Sequence, residues 1–220
     1  TLIDTVTYSG VIVGKQYTVT GTLMDKATGK AVVDANGAVV TATKTFTAGA
    51  VEGTVDISFT FDSSVVAGNA VVAFEELSNG VRVIAEHKDI NDEDQTVKIP
   101  HIRTTASDRD GNKEILADGS VVIQDTVSYD GLPVANADDT YTMTGTLMDK
   151  ETGESVKDAS GNPITASTNF HNTTESGTVI LEFRVSDAAA VLEGKTVVVF
   201  EVITDKDGKE IAKHEDIEDE

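Results

Sequence analysis

The chain has 220 residues, with 17 Lys and Arg against 38 Asp and Glu and a formal net charge of −21. That balance opposes association with nucleic acid phosphates and anionic membrane surfaces, because each approach adds like-charge repulsion. Cysteine is absent, which excludes disulfides, thiolate metal sites and a thiol nucleophile. No apolar run approaches the roughly 20 residues of a membrane span, and no phosphate-binding glycine loop or Gly-x-Ser-x-Gly elbow is found, so neither a cofactor nor an external hydrolase activity is expected.

In chain order, Thr1 to Thr5 carry no basic region or signal-peptide core, so the chain reads as starting inside a larger polypeptide. Tyr17, Val19, Gly21 and Leu23 then alternate with threonines, and Val55, Ile57, Phe59 and Phe61 alternate with polar residues. Period two indicates half-buried antiparallel strands. Thr28-Gly29, Asn36-Gly37, Asn79-Gly80 and Asp118-Gly119 mark turns between them. The apolar run Val71-Val72-Ala73-Phe74 ends on Glu75, His87 follows, and Val97 to Ile102, with Pro100 inside, marks a short, stiff junction.

Beyond the junction the pattern returns. Asp4-Thr5-Val6-Thr7-Tyr8 recurs at Asp125 to Tyr129, and Tyr17 to Lys26 recurs at Tyr141 to Lys150. Phe74-Glu75 recurs as Phe200-Glu201, and His87 as His214. Solenoid repeats run about 20 to 50 residues, so a repeat this long is a whole domain. The reading is all-β: two tandem immunoglobulin-like sandwiches of about seven strands each, spanning 1–99 and 100–220. Three alanines from Ala188 interrupt the alternation and predict a short helical turn near Asp187 to Val191.

The recurring polar set is an Asp opening a strand, a Glu closing an apolar run, and a His after it. On residues alone these read more readily as strand-end and turn groups than as a site. Together with Ile102-Arg103-Thr104-Thr105-Ala106, Gly145 to Lys150, Val198-Val199-Phe200-Glu201 and His87 to Thr96, however, the sequence resembles the VaFE-type repeat domains of Gram-positive surface adhesins. Those domains, CnaB-like sandwiches, form internal Thr to Gln ester bonds. The resemblance implies Thr104 as nucleophile and Gln95 as electrophile. It further implies the acid pairs Asp4 with Glu75 and Asp125 with Glu201, and the bases His87 and His214. It also implies an extracellular, cell-wall-anchored protein that reacts once on itself and has neighbouring repeats as partners, with a host-surface ligand bound by other domains.

Neither copy holds the full set. The first has acids, base and Gln95 but no counterpart of Thr104. In the second, the counterpart of Gln95 falls past Glu220. Either the native sequence continues past both ends, or strands of neighbouring molecules complete each sandwich. Thr5 and Thr126 follow the motif Asp by one position and point to the opposite face, while Thr105 is a one-step alternative to Thr104.

Two other features are weighed. Asp108-Arg109-Asp110-Gly111-Asn112 and Asp205-Lys206-Asp207-Gly208 offer oxygens around a glycine but do not continue into a calcium loop, and read as tight turns. His101 and His171 stand alone and read as exposed. A ligand-binding adhesin module without a cross-link is the alternative function, with loops at the sandwich ends holding the ligand.

Overall fold

The structure, a computed structural model, describes residues 1–219. It divides into two compact units, Thr1–Ile99 and Pro100–Glu220.

In the first unit, β1 (Leu2–Tyr8) pairs antiparallel with β4 (Gly53–Phe59). The facing sheet runs β3 (Thr41–Thr47), β2 (Gln16–Asp25), β5 (Ala70–Ser78) and β6 (Val83–His87), and β7 (Thr96–Lys98) shares the outer edge of β5 with β6. Pleating turns alternate side chains to one face. Val19 and Leu23 of β2 are therefore buried against Ile57 and Phe59 of β4, while the intervening threonines lie toward solvent. Asp62 caps a 3-10 turn at Ser63–Val66 by accepting from the Ser64 amide at 3.0 Å.

The second unit repeats this plan and adds a strand pair. β10 (Val121–Asp130) is flanked by β13 (Gly177–Val185) on one side and by β8 (His101–Arg103) and β9 (Ala106–Ser107) on the other. The facing sheet runs β12 (Thr165–Phe170), β11 (Tyr141–Asp149), β14 (Val197–Thr204) and β15 (Glu210–His214). Met143, Leu147, Leu181, Phe183 and Ile203 fill the core between them. The alanine run forms α1 (Ala188–Leu192), seated by buried Ala188 and Val191.

Both units carry the same register break. The β5–β6 pairing shifts between Leu77 and Ser78, and the β14–β15 pairing shifts between Ile203 and Thr204. Before the break, Glu75 lies directly opposite His87 and Glu201 directly opposite His214. Directly opposed residues project to the same face, so the fold itself sets each imidazole beside a glutamate.

Candidate functional site

The acids lie deep in each sandwich: Asp4 is 7% exposed, Glu75 4%, and Asp125 and Glu201 0%. Asp4 sits mid-β1, with its neighbours Ile3 and Thr5 turned outward, and Thr5 Oγ1 donates to Asp56 Oδ1 at 2.8 Å on that outer face. Asp125 holds the same place in β10, where Thr126 is exposed. Across the core, Glu75 meets Asp4 and Glu201 meets Asp125 within hydrogen-bonding reach.

Two buried carboxyls in contact resist carrying two charges. Burial first, and then the hydrogen bond and charge of the partner Asp, push Glu75 far above the carboxylate range. The same causes in the same order push Glu201 up to about 10. Each pair therefore holds a proton at neutral pH. By strict geometry Asp4 Oδ2, Glu75 Oε1, Asp125 Oδ2 and both Glu201 oxygens complete no hydrogen bond among the described residues, so the paired carboxyls lie in contact with donor and acceptor capacity still unsatisfied.

The histidines flank these pairs. His87 Nδ1 lies 3.2 Å from Glu75 Oε2, and His214 Nδ1 lies 3.3 Å from Glu201 Oε2. The opposite ring nitrogens face residues that sequence reasoning missed. His87 Nε2 is 3.1 Å from Asp92 Oδ2, and His214 Nε2 is 3.7 Å from Asp219 Oδ2. The available signal was the shared spacing His-x-Asp-Ile-x-Asp at His87 to Asp92 and His214 to Asp219.

Thr104 lies between β8 and β9. The β8–β10 and β9–β10 registers, bridged by reciprocal Thr105–Thr126 backbone bonds of 3.1 and 3.0 Å, form one continuous ladder. Thr104 falls opposite the buried Val127 on the core side, and its Oγ1 donates to Asp125 Oδ1. Thr105 lies one step along, exposed, with its hydroxyl turned to the Thr104 carbonyl at 2.9 Å.

Gln95 precedes β7, half-buried, and its carbonyl accepts from the Ala73 amide at 3.4 Å. Ala73 is two residues from Glu75 on β5, on the same buried face. The segment carrying Gln95 is tied down by Lys26, whose Nζ reaches Glu93 Oε1 at 2.7 Å and Thr96 Oγ1 at 2.9 Å. In the second unit Lys150, at the matching place, donates to the Asp219 carbonyl at 3.2 Å. Both lysines close the repeated Tyr17 to Lys26 and Tyr141 to Lys150 segments, whose alternation carries no sign of this role.

The two units expose complementary gaps. Among the described residues β1 pairs with β4 alone, and a cleft lined by Val6, Tyr8, Glu75, Leu77 and His87 opens where the second unit carries β8. In the second unit, Thr196–Val198 have no counterpart of β7 among the described residues. A cleft there is lined by Thr104, Ala106, Lys150, Val197, Val199 and Asp219.

Other flagged residues have ordinary roles. Asp108 Oδ1 accepts from the Asp110 and Asn112 amides at 2.8 Å, and Asp205 Oδ1 from the Asp207 and Lys209 amides at 2.9 Å, so these carboxylates close turns. His171 is exposed, its Nδ1 3.0 Å from the Asp139 carbonyl oxygen. His101 differs from expectation: it is half-buried at the start of β8, and Arg103 Nε donates to its Nε2 at 3.0 Å.

With this geometry in place, comparison with known proteins is decisive at one point. A family model for the T-Q ester bond containing domain matches residues 1–99 and again residues 100–220. The chain belongs to this family. Among solved structures, the chain is similar to a bacterial adhesin from Mobiluncus mulieris containing intramolecular disulfide, isopeptide and ester bond cross-links, solved in two space groups. In both, identity is 16%, coverage is 56% of this chain and 55% of that one, and the TM-score is 0.44. The chain thus spans about half that adhesin's length. A Bacteroides uniformis beta-glucuronidase is similar at 10% identity over 96% of this chain and 25% of that one, with a TM-score of 0.35. No curated protein matches.

Proposed function

We propose that the two units are stalk modules of a cell-wall-anchored, Gram-positive surface adhesin, each closed by one autocatalytic ester between a Thr hydroxyl at the place of Thr104 and a Gln carboxamide at the place of Gln95. The observation that carries this reading is the buried acid pair with an adjoining imidazole, found at matched register in both units.

The chemistry follows from the residues. Thr104 Oγ1 attacks the Gln side-chain carbonyl carbon while the imidazole takes its proton, since a neutral hydroxyl is a poor nucleophile without a base. The protonated carboxyl of the acid pair donates to the amide oxygen, stabilising the charge that develops there. The carbon–nitrogen bond then breaks, and the nitrogen leaves as ammonia with the proton the imidazole had taken. Strands held side by side contribute orientation worth about 7 to 11 kcal/mol of barrier. The finished link joins first strand to last, so tension on the termini cannot peel either strand away. Neighbouring repeats are the partners along the stalk.

The test is the denatured mass of two chains: this one, and one carrying a copy of residues 100–121 ahead of Thr1 and of residues 94–99 after Glu220. The extended chain should be lighter by about 17 Da for each closed domain, the mass of the ammonia lost. Gln→Glu at both glutamines should abolish the loss. Covalent multimers of the unextended chain with matching mass loss would assign closure to strands of neighbouring molecules instead. Full mass throughout overturns the cross-link.

A further inference from the structure

Each imidazole has a carboxyl group facing both of its nitrogens, at 3.1 and 3.2 Å for His87 and at 3.3 and 3.7 Å for His214, and the two sides differ in kind. On the Nδ1 side stand a buried glutamate and its aspartate partner, which together hold a proton. On the Nε2 side stands a partly exposed aspartate: the side chain of Asp92 is 26% exposed and that of Asp219 38%.

That aspartate is held in advance by its own turn. Asp92 Oδ1 accepts from the Asp94 amide at 2.8 Å, leaving Oδ2 for the ring, and the Asp92 amide donates to the Asp89 carbonyl at 3.2 Å. In the second unit the Asp219 amide donates to the Asp216 carbonyl at 3.3 Å, and Asp216 Oδ1 accepts from the Glu218 amide at 2.9 Å, as Asp89 Oδ1 does from Asn91. Both copies thus build one turn that returns an aspartate toward its histidine.

A carboxylate accepts and does not donate. Whichever nitrogen faces it is best occupied by N–H, which leaves the lone pair on the other. In the second unit that other nitrogen, Nδ1, lies on the side of Glu201, and Thr104 also comes within hydrogen-bonding reach of Glu201. We propose that Asp92 and Asp219 are positioning residues that hold His87 and His214 as the Nε2–H tautomer and fix the ring plane, so that Nδ1 presents its lone pair to the threonine hydroxyl. The arrangement follows the logic of a nucleophile, base and orienting acid with the two ring nitrogens exchanged. Its role in bond formation rests on the cross-link reading; the tautomer and its dependence on the aspartate do not.

The test uses the full 220-residue chain labelled with 15N. Long-range proton–nitrogen correlations from the carbon-bound ring protons are recorded at about pH 8, above the ordinary histidine range. His87 and His214 should both show the Nε2–H pattern. Asp92→Asn, whose amide can donate to Nε2, should move His87 toward Nδ1–H and leave His214 unchanged; Asp219→Asn should do the reverse. A wild-type proton on Nδ1, or tautomers indifferent to both substitutions, overturns the proposal. In the extended chain, Asp92→Asn should slow ammonia loss in the first unit by on the order of 10²-fold, with partial recovery in Asp92→Glu. If the wild-type extended chain keeps its full mass, the cross-link reading fails while the tautomer result still decides this one.

Discussion

Glu201 lies directly opposite Gly145 across the β11–β14 ladder, as Glu75 lies opposite Gly21 across β2–β5. The glycine leaves the facing sheet free to close over the acid. A Cβ at Gly145 would come 2.7 Å from both Leu181 Cδ1 and Phe183 Cζ, and one at Gly21 would come 2.5 Å from Ile57 Cδ1 and Phe59 Cζ. Those rings and methyls are fully or nearly fully buried and have little room to retreat.

Gly145→Ala is therefore expected to destabilise the second unit by about 1 to 3 kcal/mol, the usual cost of overpacking a filled core. Amide exchange of core residues such as Phe183 and Ile203 would report it unit by unit. Protection unchanged from wild type would show that the core yields at no cost.

The raised pKa of Glu201 makes stability depend on pH. Folded, it titrates at about 10 against an ordinary 4.5, so the folded state binds the proton more tightly than the unfolded one. Its favourable contribution is complete below about 4.5 and is lost as pH rises toward 10, with a slope of up to about 1.4 kcal/mol per pH unit. Other carboxylates add their own slopes, so the measurement is the difference between wild type and Glu201→Gln in core amide protection from pH 5 to 9. The variant should show a flatter profile. Parallel profiles would mean the acid pair holds no proton.

Under the proposed cross-link, the face each threonine occupies separates the two candidates. Thr104 lies on the core side beside Asp125, and Thr105 is exposed. In the extended chain Thr104→Val should abolish ammonia loss in the second unit, whereas Thr105→Val should leave its extent unchanged. The reverse result would require a one-residue slip of the β8–β10 register, moving the opposite face inward.

Much of this arrangement was legible in the sequence because it obeys a period. The alternation through Tyr17 to Leu23 and Val55 to Phe59 marks strands and their buried faces, the 121-residue return of Asp4 at Asp125 marks two domains, and the alanines marked α1. Asp92 recurs as Asp219, but no alternation marks the direction its side chain faces. It sits in a turn, where facing direction follows from local hydrogen bonds rather than from period, and its carboxylate reaches His87 only because the chain doubles back. His101 was read as exposed from its polar neighbours, but the strand it opens pairs with Asp130 and leaves the ring half covered. The complementary clefts depend on which edges are left unpaired, and that is a property of the assembled sheets.

Lys26 and Lys150 separate positioning from stability. Lys26 joins the end of β2 to Glu93 and Thr96 on either side of Gln95, but Glu93 is 83% exposed, so the ion pair is screened by water. Exposed pairs contribute about 0 to 1 kcal/mol, and Lys26→Met should accordingly change the stability of the first unit by less than about 1 kcal/mol. Under the proposed cross-link the Gln95 carboxamide must come within bonding distance of a hydroxyl, and small misplacements at that stage are costly in rate, on the order of 10²-fold for about 1 Å. Ammonia loss in the first unit of the extended chain should therefore slow clearly, with its final extent unchanged. Following mass against time for Lys26→Met and for Lys150→Met, each unit serving as the control for the other, distinguishes this from general loosening. A loss of stability matching the loss of rate would assign the lysine to the fold instead.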